Sequence, residues 1–208
     1  MNYEMKHYIV GPIATNCYFM CNMDTKEMIL VDPGDQAEVL KLKITESGCT
    51  PVAILLTHGH TDHVLAVNKL REDYHVKVYA HEWEREEIER EPDAMARSLG
   101  AVEMVKVDEY IHGEPVLDLA GFKIKVLSTP GHTVGGCCYY LEEQKILFSG
   151  DTLFNGSVGR TDFAGGSMSK LIASIEQKLF TLPEDVEVFP GHEASTTIGF
   201  EKKFNPYF

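Results

Sequence analysis

Nine short apolar runs set the architecture: "HYIV", "CYFM", "MILVD", "VAILLT", "VKVYA", "FKIKVLST", "CCYYL", "KILFSGD" and "VEVFPG". Runs of this length that stop at Asp, Gly, Pro or Thr read as β-strands. Between them the apolar spacing becomes helical. "AEVLKLKITESG" carries Val39, Leu40 and Ile44 and stops near Gly48. "SMSKLIASIEQKLFTLP" sets Leu171, Ile172, Ile175 and Leu179 on one face, with Ser167 or Ser169 as N-cap and Pro183 beyond. Strands interleaved with helices, at similar density in both halves, predict an α/β sandwich. With 208 residues, 44% of them hydrophobic, the chain can bury one substantial core, and a single domain over residues 1–208 is expected.

The charge and the cysteines narrow the function classes. A formal net charge of −13 argues against a nucleic-acid surface, which needs clustered Lys and Arg. Five cysteines (Cys17, Cys21, Cys49, Cys137 and Cys138) are odd in number and lack paired CxxC spacing, so buried thiols in a reducing compartment are expected. The N-terminus "MNYEMKHYIVGPIATNCY" has no basic region followed by an apolar signal core, and no segment reads as a membrane span. The expected location is cytoplasmic. "EWEREEIEREPDAMARSLG" is charged nearly all round and reads as a solvated helix, with Glu86 and Arg90 spaced to pair, followed by a variable loop. A second reading makes Met95 to Leu99 a flap beside a site; the role of 91–105 stays open.

Chemistry enters at the strand ends. Directly after "VAILLT" come His58, His60, Asp62 and His63. If the chain stays extended past Leu56, His58, His60 and Asp62 project from one side. His63 then begins a helix running through Val64, Val67, Leu70 and Arg71. Asp62 alone could be a helix N-cap, and a lone His an ordinary loop residue. Three histidines and an aspartate at this spacing point instead to metal binding. Three later strands end similarly: "STPGHTVGG" offers His132, "LFSGDTLF" offers Asp151 and "VFPGHE" offers His192. Each alone is a common turn residue; their recurrence at the same place on successive strands is what favours function. His7, His75, His81 and His112 follow no such strand end and are expected to be surface or structural residues.

"THGHTDH", "GHT", "GDTLF" and "PGHE", in this order, together with "GPIATNCY" and "VDPG", resemble the metallo-β-lactamase superfamily, and its compact glyoxalase II-like hydrolases in particular. The resemblance implies an αββα four-layer sandwich with a binuclear site at one edge of its sheets. It implies that one metal takes His58, His60 and His132, that the other takes Asp62, His63 and His192, and that Asp151 bridges them. The β-lactamases typically carry cysteine at the position of Asp151, so aspartate points toward the glyoxalase II-like branch.

Such a site suits hydrolysis. Two divalent ions, offset by two carboxylates and a bridging hydroxide, leave a mildly electrophilic centre. The expected reaction is attack of metal-bound hydroxide on the acyl carbonyl of a thioester such as S-lactoylglutathione or a related acyl-thiol, with Asp62 and Asp151 as catalytic carboxylates. A thiolate leaves without a positioned acid, and the sequence offers no candidate acid beyond the ligands. Nitrogen and oxygen donors accept zinc, the first expectation, and also iron or manganese. Arg160 resembles a basic residue that grips a glutathione-like substrate, but it could equally brace its loop through Asp162. The C-terminal helical region of full-length glyoxalase II and the tyrosine expected near "GRTDF" are not evident. The alternatives are a mononuclear-iron persulfide dioxygenase, in which His58, His132 and Asp151 hold the iron, and a noncatalytic metal-binding redox scaffold.

Overall fold

The first half of the chain builds one sheet and the second half another. In the computed structural model, which describes residues 1–208, the first sheet comprises β1 (Tyr3–Val10), β2 (Thr15–Asn22), β3 (Glu27–Val31), β4 (Thr50–Leu55), β5 (Lys77–His81) and β6 (Glu109–Ile111) in sequential order. The pairs β1–β2 and β2–β3 are antiparallel; β3 to β6 run parallel. The parallel connections carry α1 (Ala37–Ser47), then α2 (Thr61–Val64) and α3 (Val67–Tyr74), and finally α4 (Arg85–Ile88) and α5 (Ala94–Ser98). In the second sheet, β7 (Val116–Leu119), β8 (Phe122–Ser128), β9 (Cys137–Leu141) and β10 (Ile146–Gly150) form a meander. A small hairpin, β11 (Leu153–Phe154) with β12 (Ser157–Val158), follows. After α6 (Met168–Ser174), continued by a π-helical turn at Ile175–Leu179, β13 (Glu187–Pro190) pairs parallel to β10. Then β14 (Thr196–Thr197) and α7 (Ile198–Phe204) end the chain.

Three buried clusters mark the interfaces between four layers. Phe19, Leu30, Ile54 and Leu56 meet Leu40 and Ile44 of α1 and Val67 and Leu70 of α3. Their neighbours of opposite parity, Tyr18, Met20, Ile29, Val31 and Leu55, face Phe122, Ile124, Val126, Tyr139 and Phe148 of the second sheet. The outer face of that sheet, with Cys138, Tyr140 and Leu147, packs on Leu171, Ile175 and Leu179. Because successive strand residues point to opposite faces, a strand covered on both sides must be apolar throughout. That explains why "CYFM" and "CCYYL" read as unbroken runs. The result is an αββα sandwich, and both sheets deliver strand ends to one edge.

Local expectations meet local chemistry. Ser167 caps α6, accepting from the Lys170 amide at 3.4 Å. All five cysteines are free and buried, and no helix is long and apolar enough to cross a membrane. The helix expected from His63 through Arg71 is broken. The amides of Leu65 and Ala66 donate to Gly34 O (3.2 Å) and Pro33 O (3.1 Å), taking them out of the helical ladder and splitting α2 from α3. Arg90 pairs with Glu87 at 2.7 Å and not with Glu86. The charged segment is a 3-10 turn, Glu82–Glu84, plus α4, while 94–98 forms α5, none of whose residues is buried.

Candidate metal centre

The turns after β4, β8, β10 and β13 bring all seven expected side chains to one edge of the sandwich. Donor atoms of His58, His60 and His132 lie within 4.8 Å of one another, as do those of Asp62, His63 and His192. Asp151 reaches both groups. Its Oδ2 is 3.5 Å from His132 Nε2 and 3.6 Å from His192 Nε2, and its Oδ1 is 3.4 Å from His63 Nε2. Within the groups, His60 Nδ1 lies 2.9 Å from His132 Nε2, and His192 Nε2 lies 3.2 Å from Asp62 Oδ2 and 3.4 Å from His63 Nε2. Asp62 sits inside the first turn of α2 and is not its N-cap, which is His60. Thr15 Oγ1 donates to Asp62 Oδ2 at 3.0 Å.

Outer hydrogen bonds fix which imidazole nitrogen faces inward. Thr57 Oγ1 donates its single proton to the Asp32 carboxylate at 2.6 Å, so it accepts from His58 Nδ1 at 3.1 Å and leaves His58 Nε2 as a lone pair. His132 Nδ1 donates to the Arg160 carbonyl at 2.6 Å, and His63 Nδ1 to Asp32 Oδ2 at 3.0 Å. Imidazole metal ligands are typically oriented in this way, by an acceptor on the far nitrogen. Asp32, His58 and His63 also lie close enough to form a third cluster. Asp32 is already engaged by Thr57 and His63, and orienting them is its role. It is 2% exposed and holds a left-handed φ of 47° to aim its carboxylate inward.

Two buried side-chain atoms have no hydrogen-bond partner, and both belong to this cluster: His58 Nε2 and Asp151 Oδ1. The latter lies near His63 but without hydrogen-bond alignment. Buried polar atoms are nearly always paired, so an inward lone pair and an inward carboxylate oxygen left free fit a cation. Gly191 preserves the space, because a Cβ there would lie 2.2 Å from Asp151 Oδ1 and 2.6 Å from His63 Cε1. Gly34 does the same beside Asp62, whose carbonyl oxygen would be 1.9 Å from a Cβ. The donor clusters fit a divalent-metal site.

The protonation bias differs between the groups. Burial, then the neighbouring His63 and His60, holds His58 well below the ordinary imidazole value. Burial and His132 push His60 down to about 4. Burial also opposes charge on His63, but Asp151 and Asp32 outweigh it and raise His63. His192 is likewise raised, against burial, by its hydrogen bond to Asp62. Burial acts to raise Asp62 and Asp151. The His192 bond to Asp62 and the closeness of His63 to both prevail, and both stay below the usual carboxylate range.

Three supporting residues escaped the sequence reading. Asp32 lay in "VDPG" with no sign of its partners. Glu84, 1% exposed, accepts from the Gly59 amide (2.9 Å), the Gly135 amide (2.8 Å) and Thr133 Oγ1 (2.5 Å). It thereby ties the His58–His60 loop to the His132 loop from within a segment that reads as a solvated charge run. Asn16 donates to Pro190 O and Glu193 O, both at 2.9 Å, and clamps the turn that carries His192. The four remaining histidines lie outside the cluster. His7 meets Asn16, His75 ends α3, and exposed His112 pairs with Glu82. His81, 1% exposed, meets Ser128. Arg160 braces its loop: it binds both Asp162 oxygens at 3.0 and 2.8 Å and lies 4.6 Å over the Phe163 ring.

Known proteins resemble this chain in sequence and in fold. The chain is 38% identical to the probable metallo-hydrolase YqgX of Bacillus subtilis, covering 95% of this chain and 94% of that protein. It is 37% identical, over the same shares, to the hydroxyacylglutathione hydrolase GloC of Haemophilus influenzae. Among solved structures, BLEG-1 B3 metallo-beta-lactamase matches with a TM-score of 0.91 and 40% identity, covering 98% of this chain and 99% of that one. TTHA1623 in a di-iron-bound form matches at 0.85 and 37%, covering 98% and 100%. ETHE1 from Myxococcus xanthus matches at 0.79 and 27%, covering 99% and 84%. The model of the metallo-beta-lactamase superfamily spans residues 10–192, from the last residue of β1 to the final histidine of the cluster. The family model and these relatives cover nearly the whole chain, which belongs to the metallo-beta-lactamase superfamily.

Proposed function

We propose that this superfamily hydrolase cleaves thioesters, S-lactoylglutathione or a related acyl-thiol, at a binuclear centre. His58, His60 and His132 would hold one ion, Asp62, His63 and His192 the other, and Asp151 would bridge them. The observation that carries the reading is the pair of inward atoms without partners, His58 Nε2 and Asp151 Oδ1, at the meeting of two donor groups. Divalent ions bound there, zinc first and iron or manganese as alternatives, would polarise a carbonyl and make hydroxide available at neutral pH.

The chain's own residues account for the rest. Asp32 and Thr57 hold His63 and His58 in register, and Thr15 and His192 hold Asp62 Oδ2. Rigid donors let charge build up on an acyl oxygen without reorganisation. No side chain in the cluster is free to protonate an amine on departure, which favours a thiolate leaving group over an amide. GloC's name supports the thioester assignment. In the single-iron dioxygenase reading, Asp62, His63 and His192 have no ion to hold. Their gathering, and the Asn16 and Asp32 contacts that support them, favour two ions.

The test is metal analysis with three assays on zinc- and iron-loaded protein: thiol release from S-lactoylglutathione, oxygen uptake with glutathione persulfide, and β-lactam ring opening. Two metals per chain with thiol release is the expected result. One iron per chain with oxygen uptake, or turnover confined to β-lactams, overturns the reading.

A further inference from the structure

The cavity in front of the donor cluster has a volume of about 560 Å³, and its walls differ sharply from its floor. His60, Asp62, His132, Asp151 and His192 form the floor. Apolar side chains stand around them. The Phe163 ring centre is 5.2 Å from that of His60, and Phe154 is 6.3 Å from His192. Ile13, Met95 and Leu99 line the same cavity. Ile13 and Met95, which line it, are 44% and 64% exposed. α5 buries none of its own residues, so the hydrophobic effect alone does not explain its Met95.

The charged residues on the wall are already engaged or acidic. Outside the donor cluster two cationic side chains line the cavity, and each guanidinium has a carboxylate partner: Arg160 both oxygens of Asp162, Arg90 that of Glu87. Asp93 and Glu193 line it as well, with no cation beside them. Apart from the floor donors, three carboxylates, Glu87, Asp93 and Glu193, line the cavity against two guanidiniums, one of which Asp162 neutralises from outside the lining, so the rim carries an excess of negative charge. Such a rim repels an anionic ligand.

Building on the thioester reading, we propose that this pocket selects acyl-thiols whose acyl group is apolar and whose thiol half carries no net negative charge. Ile13, Met95 and Leu99 take the acyl chain, and the acidic rim disfavours polyanionic thiols.

The test compares kcat/KM of the metal-loaded enzyme for hexanoyl, acetyl and lactoyl thioesters of N-acetylcysteamine, glutathione and coenzyme A. Hexanoyl is expected to exceed both lactoyl and acetyl by at least about tenfold, the scale of methylene discrimination in an apolar pocket. N-acetylcysteamine esters are expected to exceed glutathione esters, with coenzyme A esters last. Added salt should narrow the thiol ranking and leave the acyl ranking in place, because screening acts on charge alone. Met95→Ser with Leu99→Ser should lower the hexanoyl-to-acetyl ratio at least about fivefold. Glu193→Lys should raise the glutathione ester relative to the N-acetylcysteamine ester. Calorimetry on metal-free protein gives a readout without turnover: S-hexyl-N-acetylcysteamine should bind more tightly than S-hexylglutathione. A preference for lactoyl or acetyl groups, or for glutathione or coenzyme A esters, overturns this inference and leaves the thioester assignment standing. No turnover of any thioester overturns that assignment, and this inference with it.

Discussion

Glu84 offers a direct test of how the two donor-bearing loops are held. Truncation in Glu84→Ala leaves the Gly59 amide, the Gly135 amide and the Thr133 hydroxyl without their acceptor. An unsatisfied buried donor costs about 1–3 kcal/mol. The hydroxyl can rotate to another acceptor and the shortened side chain admits water, so the expected loss is about 2–5 kcal/mol. Glu84→Gln keeps acceptor contacts through its carbonyl oxygen and turns an NH2 toward one amide. Burial raises the Glu84 carboxyl pKa, so a neutral amide also avoids desolvating a charge, and its cost should be near about 1 kcal/mol. Urea unfolding of the metal-free chains measures both. Metal per chain after dialysis against a weak chelator should fall by one ion in the Ala variant, from the His58–His60–His132 group, and be largely restored in the Gln variant. An Ala variant within about 0.5 kcal/mol of the parent, with metal content unchanged, would refute the clamp, since that is the range of an inert surface substitution.

Asp151→Ala should weaken retention of both ions, whereas His192→Ala should lose chiefly one; equal loss of a single ion in both variants, by elemental analysis, contradicts the bridge. Proton release should differ between the two donor groups. His63 and His192 are raised and hold a proton to higher pH than an ordinary imidazole, a proton a cation must displace, while His58 and His60 are depressed and give up none near neutral pH. Affinity at the Asp62–His63–His192 group should therefore climb with pH toward the raised imidazole values, by up to about tenfold per unit for each proton released, and stay flatter at the other group. Calorimetry in buffers of different ionisation enthalpy, on Asp62→Ala and His60→Ala chains, separates the two; equal release from both contradicts the assignment.

What could be read from the sequence follows physical range. The layered fold was legible because strand parity writes burial into adjacent residues, as Tyr18 and Phe19 facing opposite cores illustrate. The seven donors were legible because each follows its own strand at a turn. Asp32, Glu84 and Asn16 were not, since their roles depend on partners 31, 51 and 174 positions away. Glu84 was further hidden among exposed acids of the same type. The break between α2 and α3 was invisible for the same reason: the Pro33–Gly34 turn that claims the amides of Leu65 and Ala66 lies a full crossover earlier in the chain.

Each donor triplet draws on both halves of the chain. His58 and His60 come from the first sheet's turn and His132 from the second sheet's; Asp62 and His63 are likewise completed by His192. Cations seated there would act as rivets between the two half-chains, so that loading and mechanical integrity rise and fall together. A chain starved of metal would then loosen at its sheet seam as well as fall silent, and its susceptibility to proteolysis would track its supply of ions.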